Sequence, residues 1–265
     1  MIDVKLKNHE TIIKGKEMYL IGGYYNKTTL NDTKVISISG EQIERTSLFP
    51  PMFYKRKNFG MCSFSDCIFI AGGEQQFNEE FKVLDKCEFY SFKSNKWHEI
   101  ASMNTKRCTF SIVYFQKKVW AIGGFDDTKK SPTNVIETFD LTKNRWTVSD
   151  VKLVNKRYGH STVAHDNKLY VVGGNDFRGI LASVEVYSGE TNQFSYVTSM
   201  RMPRTMSKCC IINSSLYVIG GSLHHFEEKP TKTVEIYEIE KGVWTEGPSL
   251  PFGLTNFGCS KYLPE

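Results

Sequence analysis

The sequence lacks a metal-binding or disulfide pattern of cysteines, a long apolar run and a strong charge of either sign. Its seven cysteines include no CxxC pair and no histidine at zinc-site spacing, and their number is odd, so we expect buried reduced thiols. No apolar run approaches the roughly 20 residues of a membrane helix, and the N-terminus contains no signal-peptide core. These absences predict a cytoplasmic protein, with a cytoskeletal or nuclear location left open.

What the sequence does contain is an internal repeat built on an apolar strand that runs into two glycines. The second glycines follow one another at steps of 50, 51, 50 and 47 residues, and an aromatic residue lies four positions before each. A constant period near fifty predicts a repeat architecture with one supersecondary unit per period. The glycine pairs are Gly22 and Gly23, Gly72 and Gly73, Gly123 and Gly124, Gly173 and Gly174, and Gly220 and Gly221.

A second mark follows each glycine pair after a loop of variable length. It is a β-rich run whose central aromatic lies seven residues before another aromatic, which predicts a rigid hairpin in the last two strands of each unit. The first repeat is degenerate, with Ile38 and Arg45 at the matching positions. The aromatic pairs are Tyr90 with Trp97, Phe139 with Trp146, Tyr187 with Phe194, and Tyr237 with Trp244.

This pattern resembles the kelch repeat over nearly the whole chain. The resemblance implies an all-β fold, a β-propeller of four-stranded antiparallel blades, because one small blade cannot bury both faces alone and must stack on its neighbours. In this interpretation the glycines and aromatics are structural. We expect a lead-in or linker at 1–16 and a single propeller at 17–265, with blades at about 17–52, 53–103, 104–152, 153–201 and 202–250.

The C-terminal run at 256–263 resembles the strand that opens each later repeat, with Phe59 to Phe64 as its closest copy. In kelch propellers such a strand commonly completes the first blade, and closure avoids exposed sheet edges. We therefore expect five blades closed by this strand. The patch at Thr11 to Lys14 competes for the same position, and the choice between five and six blades stays open.

Basic residues recur in register before the strands that open the repeats. Arg56, Arg107, Arg157 and Arg204 each lie seventeen residues before the second glycine of their repeat, and Lys106 and Lys156 precede two of them. Equal register in a propeller places equivalent residues in a ring, and guanidinium groups can bind carboxylates or phosphates with two hydrogen bonds. The hypothesis is a basic mouth that binds a partner, and the alternative is that each arginine braces its own blade.

The loops after the glycine pairs are the second candidate surface. In kelch relatives they open on one face, and exposed aromatics beside polar groups suit protein binding. The alternative is that the phenylalanines fold back over the blade edges, and that the aspartates form turns. The candidate residues are Tyr24, Tyr25, Phe77, Phe125, Asp126, Asn175, Phe177, Arg178, His224 and His225.

A methionine four residues before the arginine, as in Met103 with Arg107 and Met200 with Arg204, is typical of kelch-like adaptors that carry BTB and BACK domains. The resemblance implies a non-catalytic module that recognises a protein substrate for a cullin–RING ubiquitin ligase, through an acidic or polar segment. A cullin would be reached only indirectly, because a BTB domain is absent from this chain. An actin-binding cytoskeletal kelch protein is the alternative.

Two further classes are less favoured. A net charge of +5 and a pI near 8.7 are mild for a nucleic-acid-binding protein. The six histidines fall at different repeat positions, which does not suit a copper site of the galactose-oxidase kind, and the iron motif of kelch specifier proteins and the sialidase box do not occur. The sequence therefore predicts no enzyme, no metal site and no cofactor.

Overall fold

The structure, a computed structural model, describes residues 6–39, 42–46, 49–224 and 229–260 and contains five four-stranded antiparallel sheets within them. These residues form no helix, and so none that is long and apolar enough to cross a membrane. In each sheet the strands pair in chain order, from an inner strand through a second and a third to an outer strand. The predicted all-β fold with four-stranded antiparallel blades is confirmed.

The blades are numbered 1 to 5 from the N-terminus. Their strands are Glu10–Lys14, Glu17–Ile21, Thr33–Ser39 and Gln42–Thr46 in blade 1, Gly60–Phe64, Cys67–Ala71, Cys87–Ser91 and Lys96–Ile100 in blade 2, Ser111–Phe115, Lys118–Ile122, Val135–Asp140 and Arg145–Lys152 in blade 3, Ser161–His165, Lys168–Val172, Val184–Ser188 and Gln193–Val197 in blade 4, and Lys208–Ile212, Ser215–Ile219, Val234–Glu238 and Val243–Glu246 in blade 5. Short extra strands extend the loops of blades 1 to 3, namely Tyr24–Tyr25 with Thr28–Thr29, Glu74–Phe77 with Glu80–Val83, and Arg107–Cys108 with Phe125–Asp126 and Ser131–Pro132.

The first blade differs from the prediction at its inner strand. Residues 10–14, assigned to a lead-in, pair in antiparallel register with Glu17–Ile21, so the N-terminal segment occupies the position for which two segments competed. The C-terminal run therefore does not complete blade 1, residues 256–260 form no strand, and 261–263 lie outside the described residues. In the outer hairpin of this blade, Ile36 rather than Ile38 lies opposite Arg45.

Large apolar side chains fill the space between successive blades. Four hydrophobic clusters join blade 1 to 2, 2 to 3, 3 to 4, and 4 to 5. The paired aromatics of each hairpin lie inside these clusters, with ring centroids 5.0–5.4 Å apart. The indole N–H of Trp146 also donates to the carbonyl of Ala101 at 3.0 Å, which ties blade 3 to the loop that enters it. The hairpin aromatics thus hold both the sheet stack and the loops between blades.

The glycine pairs lie where the end of the second strand packs against the segment that enters the next blade. At Gly72 the backbone has a φ of +60°, and a Cβ would lie 2.6 Å from the carbonyl oxygen of Arg107 and 2.8 Å from the ring of Phe110. A side chain is excluded there by both the left-handed backbone and the close approach of the next blade.

Six chain segments, not five, surround the propeller axis. Each contains one residue in the left-handed conformation, and these residues are Asn8, Asn58, Thr109, Gly159, Met206 and Asn256. The amide of each of the first five donates to the carbonyl of its predecessor at 2.7–3.3 Å, from Asn8, which donates to Asn256, through to Met206, which donates to Gly159. The segment at 256–260 therefore holds a sixth axial position, and no sheet of the described residues includes it.

Candidate functional site

The predicted loop residues come together on one face of the propeller. In a four-stranded meander the start of the inner strand, the end of the second, the start of the third and the end of the outer strand all lie at the same end of the sheet. We call this end the loop face. It is formed by the loops at 22–32, 72–86, 123–134, 173–183, 220–224 and 229–233, and by the segments between blades at 49–59, 101–110, 153–160, 198–207 and 247–256.

Isolated bridges join the two kinds of loop on this face. Lys57 pairs with Glu74, Tyr158 with Asn175, and Thr205 with Ser222. The blade-to-blade segments at 49–59, 153–160 and 198–207 are thereby fixed against loops that follow a glycine pair. The loop face consequently presents an ordered set of side chains.

The four arginines expected to line the mouth are not on this surface. Arg56, Arg107, Arg157 and Arg204 have side chains that are 0% exposed. Each donates from Nη2 to a buried glutamate at 2.5–2.7 Å, and these partners are Glu88, Glu137, Glu185 and Glu235. The predicted binding role of the arginine ring is therefore wrong, and the bracing alternative describes the structure.

Arg107 shows how the brace works. Its Nη1 donates to the carbonyl oxygens of Gly123 at 2.9 Å and Val135 at 3.0 Å, so the guanidinium joins the end of the second strand to the start of the third. Its Nη2 donates to Oε1 of Glu137 at 2.6 Å, while Oε2 of that glutamate accepts the amide of Asn104 at 2.7 Å. One buried pair thus connects two strands and the incoming loop.

Burial sets the direction of the pKa shifts at this kind of pair. Burial lowers the pKa of Arg56, and Glu88 opposes that shift. Burial raises the pKa of Glu88, and Arg56 opposes that shift. Because each ion is desolvated and then compensated by the other, neither is free to bind an external ligand.

The positive charge of the loop face comes from lysines instead. Lys106 and Lys156 are exposed, as is Lys55 at the equivalent position of blade 2. Each stands directly before a buried arginine, so the chain turns one basic side chain inward and its neighbour outward. This alternation of an exposed lysine with a buried arginine is the sequence signal that could have identified the exposed charges.

One aromatic cluster lies on blades 1 and 2. The ammonium of Lys57 stands 3.6 Å from the ring centroid of Phe81 and 4.8 Å from that of Tyr24. Phe77 is 56% exposed, with the ammonium of Lys82 4.3 Å from its ring. Each of these aromatic sites has a lysine ammonium over its ring, and Phe81 was not among the residues predicted from the sequence.

A second aromatic cluster lies on blades 3 and 4. Phe125, Tyr158 and Phe177 contact one another with ring centroids 6.1–6.3 Å apart. Phe177 is 54% exposed and has a φ of +74°, an unfavourable conformation for a bulky side chain. Its amide donates to the side chain of the buried Asn175 at 2.8 Å, which helps to hold that conformation. The loop holds this ring outward at a cost in backbone energy.

The remaining predicted residues have local roles. Oδ1 of the buried Asp126 accepts the amides of Thr128 and Lys129 at 3.0 and 3.2 Å, which is the geometry of a turn. The side chain of Arg178 is 82% exposed, and its guanidinium pairs with Asp176 at 2.7 Å. Tyr25 and His224 are exposed, and His225 lies outside the described residues.

Two histidines lie near the axis rather than on the loop face. Burial, with the charge of Arg157, lowers the pKa of His160 to about 3, and burial with the charge of Lys208 lowers that of His9 to about 4. Both are therefore neutral near pH 7. Across the described ranges, no group of three or more histidine, cysteine or acidic side chains could hold a metal ion.

Comparison with known proteins gives three findings. The family model of the Attractin/LZTR1 beta-propeller matches residues 18–261. The human Kelch-like protein 15 is 28% identical over 213 residues, and the zebrafish (Danio rerio) Kelch repeat and BTB domain-containing protein 8 is 27% identical over 191 residues. These matches cover 73% and 70% of this chain but only 35% and 30% of the relatives, so the chain spans about a third of their length.

A solved structure supports the fold alone. The structure titled "Structure of YjhT" superposes with a TM-score of 0.82 at 13% identity, covering 98% of this chain and 88% of the other.

Proposed function

The chain belongs to the Attractin/LZTR1 β-propeller family, and from this premise we propose that its loop face binds a partner protein without catalysing a reaction. The resemblance of its repeats to the kelch domains of BTB-kelch proteins is confirmed. Kelch-like relatives support a protein-interaction propeller as the general role. The nature of the partner, the surface used and any link to ubiquitination are our proposals.

The observation that carries the proposal is the outward display of Phe177. A bulky residue in the left-handed conformation costs free energy that packing alone would not require at an exposed position. Together with Phe125 and Tyr158 it forms a rigid aromatic patch, the kind of anchor that contributes most to protein interfaces.

Charge favours a partner segment with carboxylates. Lys55, Lys106 and Lys156 are exposed in equal register around the loop face, and Lys57 and Lys82 flank the blade 2 aromatics. Exposed lysines raise the association rate of an acidic partner and set its orientation, and the aromatic patches then supply affinity. This replaces the buried arginines as the basis for acidic-segment recognition.

The relatives' names suggest what such a module serves. We propose that the propeller selects substrates for a cullin–RING ubiquitin ligase, with the cullin reached through a BTB domain. That role supports a cytoplasmic location, in which the seven free cysteines remain reduced. Cell fractionation tests the location directly.

The test is affinity capture from cell lysate, quantified by mass spectrometry. A triple variant Lys55→Glu, Lys106→Glu, Lys156→Glu reverses charge on the loop face, and we expect at least a tenfold loss of its specific partners. The matched control reverses three exposed lysines at turns on the opposite face, Lys93→Glu, Lys117→Glu and Lys143→Glu. Equal loss in both variants, or no loss in either, contradicts the proposal for this surface.

A second variant separates the affinity supplied by the aromatic side chain from the electrostatic steering by the lysines. Phe177→Ala removes the displayed ring but leaves the lysines, so we expect weaker capture with unchanged salt dependence. Substrate selection for a ligase additionally requires that a captured partner accumulates when the chain is deleted. If a partner binds the loop face but its level does not change, the binding site is supported and the ligase role is contradicted.

A further inference from the structure

The six axial positions are filled by five blades and one short segment. Residues 254–260 follow the path that leads into every later blade. The amide of Gly221 donates to the carbonyl of Leu254 at 2.7 Å, as that of Gly174 does to Arg204 and that of Gly124 to Arg157. The segment then lies against blade 1, where the amide of Ile13 donates to Oγ of Ser260 at 3.0 Å. It therefore occupies the position of an inner strand.

Within the described part of the chain, no second strand pairs with the outer side of this segment. No backbone hydrogen bond between described residues pairs 257–260 with a second strand, and none of the hydrophobic clusters found there joins blade 5 to blade 1. We call the space between Ser215–Ile219 of blade 5 and Glu17–Ile21 of blade 1 the open cleft.

The walls of the open cleft are apolar and less covered than their counterparts. Met18 and Leu20 of blade 1 are partly exposed, although the equivalent residues face the preceding blade and are fully buried. Those equivalents are Ile68, Ile70, Val119, Ala121, Leu169, Val171, Leu216 and Val218.

The opposite wall shows the same difference. Tyr217 and Ile219 of blade 5 are partly exposed, whereas Tyr170 and Val172 at the same positions of blade 4 are buried against blade 5. Both faces that should meet a sixth sheet are thus left half-covered.

Blade 1 also carries a substitution that fits an uncovered wall. In blades 2 to 5 a buried glutamate accepts amides from the loop that enters the blade. The register places Lys34 at the equivalent position of blade 1, and Lys34 is exposed.

We propose that the open cleft binds a β-strand of a partner polypeptide, added antiparallel to residues 257–260. The reason is continuity with the fold, because every inner strand pairs antiparallel with a second strand that is apolar on both faces. The partner strand therefore carries aliphatic or aromatic residues at successive positions, one set facing Tyr217 and the other facing Leu20. Strand addition to a sheet edge combines backbone hydrogen bonds with side-chain pockets of this kind.

The probe is a fluorescent peptide that copies residues 166–175 of this chain, the second strand of blade 4 with its turn and glycines. We expect saturable one-to-one binding by fluorescence anisotropy and no binding of a scrambled peptide. Leu20→Ser and Tyr217→Ser, on opposite walls, each lower the affinity at least tenfold. The controls Leu141→Ser and Tyr196→Ser change residues that are 41% and 48% exposed elsewhere on the propeller and leave binding intact.

Hydrogen exchange on the unaltered protein gives a readout that does not depend on the variants folding. Peptide binding slows exchange at residues 257–260 and not in the outer strands. Absence of saturable binding overturns the proposal, as does equal weakening by the control variants. A concentration-dependent dimer in sedimentation, broken by Tyr217→Ser and unaffected by the peptide, also overturns it by assigning the cleft to a second copy.

Discussion

Removing one buried arginine should destabilise the propeller far more than removing an exposed one. The change is Arg107→Ala, which deletes a guanidinium that joins two strands of blade 3 and neutralises Glu137. The matched change is Arg178→Ala, since Arg178 also pairs with a carboxylate on a loop but is 82% exposed.

The magnitude follows from what Arg107→Ala leaves behind. Two strand-end carbonyls lose a donor, and the Glu137 side chain, which is 0% exposed, loses its countercharge. Breaking a buried pair by removing one partner costs about 3–5 kcal/mol. Since the whole free energy of unfolding is about 5–15 kcal/mol in ordinary domains, this is a large part of the total.

Urea denaturation followed by tryptophan fluorescence measures the difference. We expect a clearly lower urea midpoint for Arg107→Ala and nearly the wild-type midpoint for Arg178→Ala. The double variant Arg107→Met, Glu137→Leu removes both charges and should recover part of the loss. Recovery is incomplete because the amides of Asn104 and Thr105 lose their acceptor.

Two results would refute this reasoning. Equal midpoints for Arg107→Ala and wild type would show that the buried pair is not a brace. A double variant less stable than Arg107→Ala would show that the cost lies in the lost hydrogen bonds rather than in the unpaired charge.

Two further changes test the core. The folded-state pKa of His160 is about 3, below the unfolded value near 6.5, so the free energy of unfolding falls as the pH drops below about 6.5. Phenylalanine occupies the same position in blades 2 and 3, and His160→Phe should remove a loss of about 2 kcal/mol at pH 5, measured by urea melts. An unchanged dependence of stability on acid would contradict this. Gly72→Ala places a Cβ 2.6 Å from a carbonyl oxygen at a φ of +60° and should lower stability by at least about 2 kcal/mol. Gly15→Ala, at a φ of +57° with nothing within 4 Å, should lower it by about 1 kcal/mol. Equal shifts in thermal midpoint would show that packing of the glycine against the next blade is unimportant.

The fold could be predicted because its determinants are local and repeated. A glycine pair after an apolar strand and two aromatics seven apart depend on backbone conformation and hairpin length, which sequence spacing reports directly. Blade 1 was harder to predict, because its hairpin lacks the aromatic pair and its inner strand contains no glycine or aromatic residue that marks it.

The arginines show where sequence spacing stopped being informative. Equal register correctly indicated equivalent positions, but register does not distinguish a side chain that faces inward from one that faces outward. The missing information was present as a second repeat, because a glutamate lies two residues before the first hairpin aromatic in blades 2 to 5. In blade 1 both members are absent together, with Leu6 and Lys34 in their places.

The aromatic patches could not be predicted as clusters. Phe77, Phe125 and Phe177 were candidates, but the contacts of Phe81 with Tyr24 and of Tyr158 with Phe177 depend on loop conformations that no spacing fixes. The left-handed backbone at Phe177 is likewise invisible in a sequence where glycine is the usual indicator.

The gap between the first and last blades changes how the molecule holds together. A closed ring of five units has five contacts, so no unit can leave without breaking two of them. Among the described residues the hydrophobic clusters form an open series of four, and blades 1 and 5 are joined across the gap by polar contacts, among them the ion pair of Lys208 with Glu10 and the hydrogen bond from Asn8 to Asn256. Such an arrangement behaves thermodynamically as a finite linear array, in which terminal units open at lower free energy than central ones. We therefore expect blade 3, two units from either end, to open at the highest free energy among the five blades.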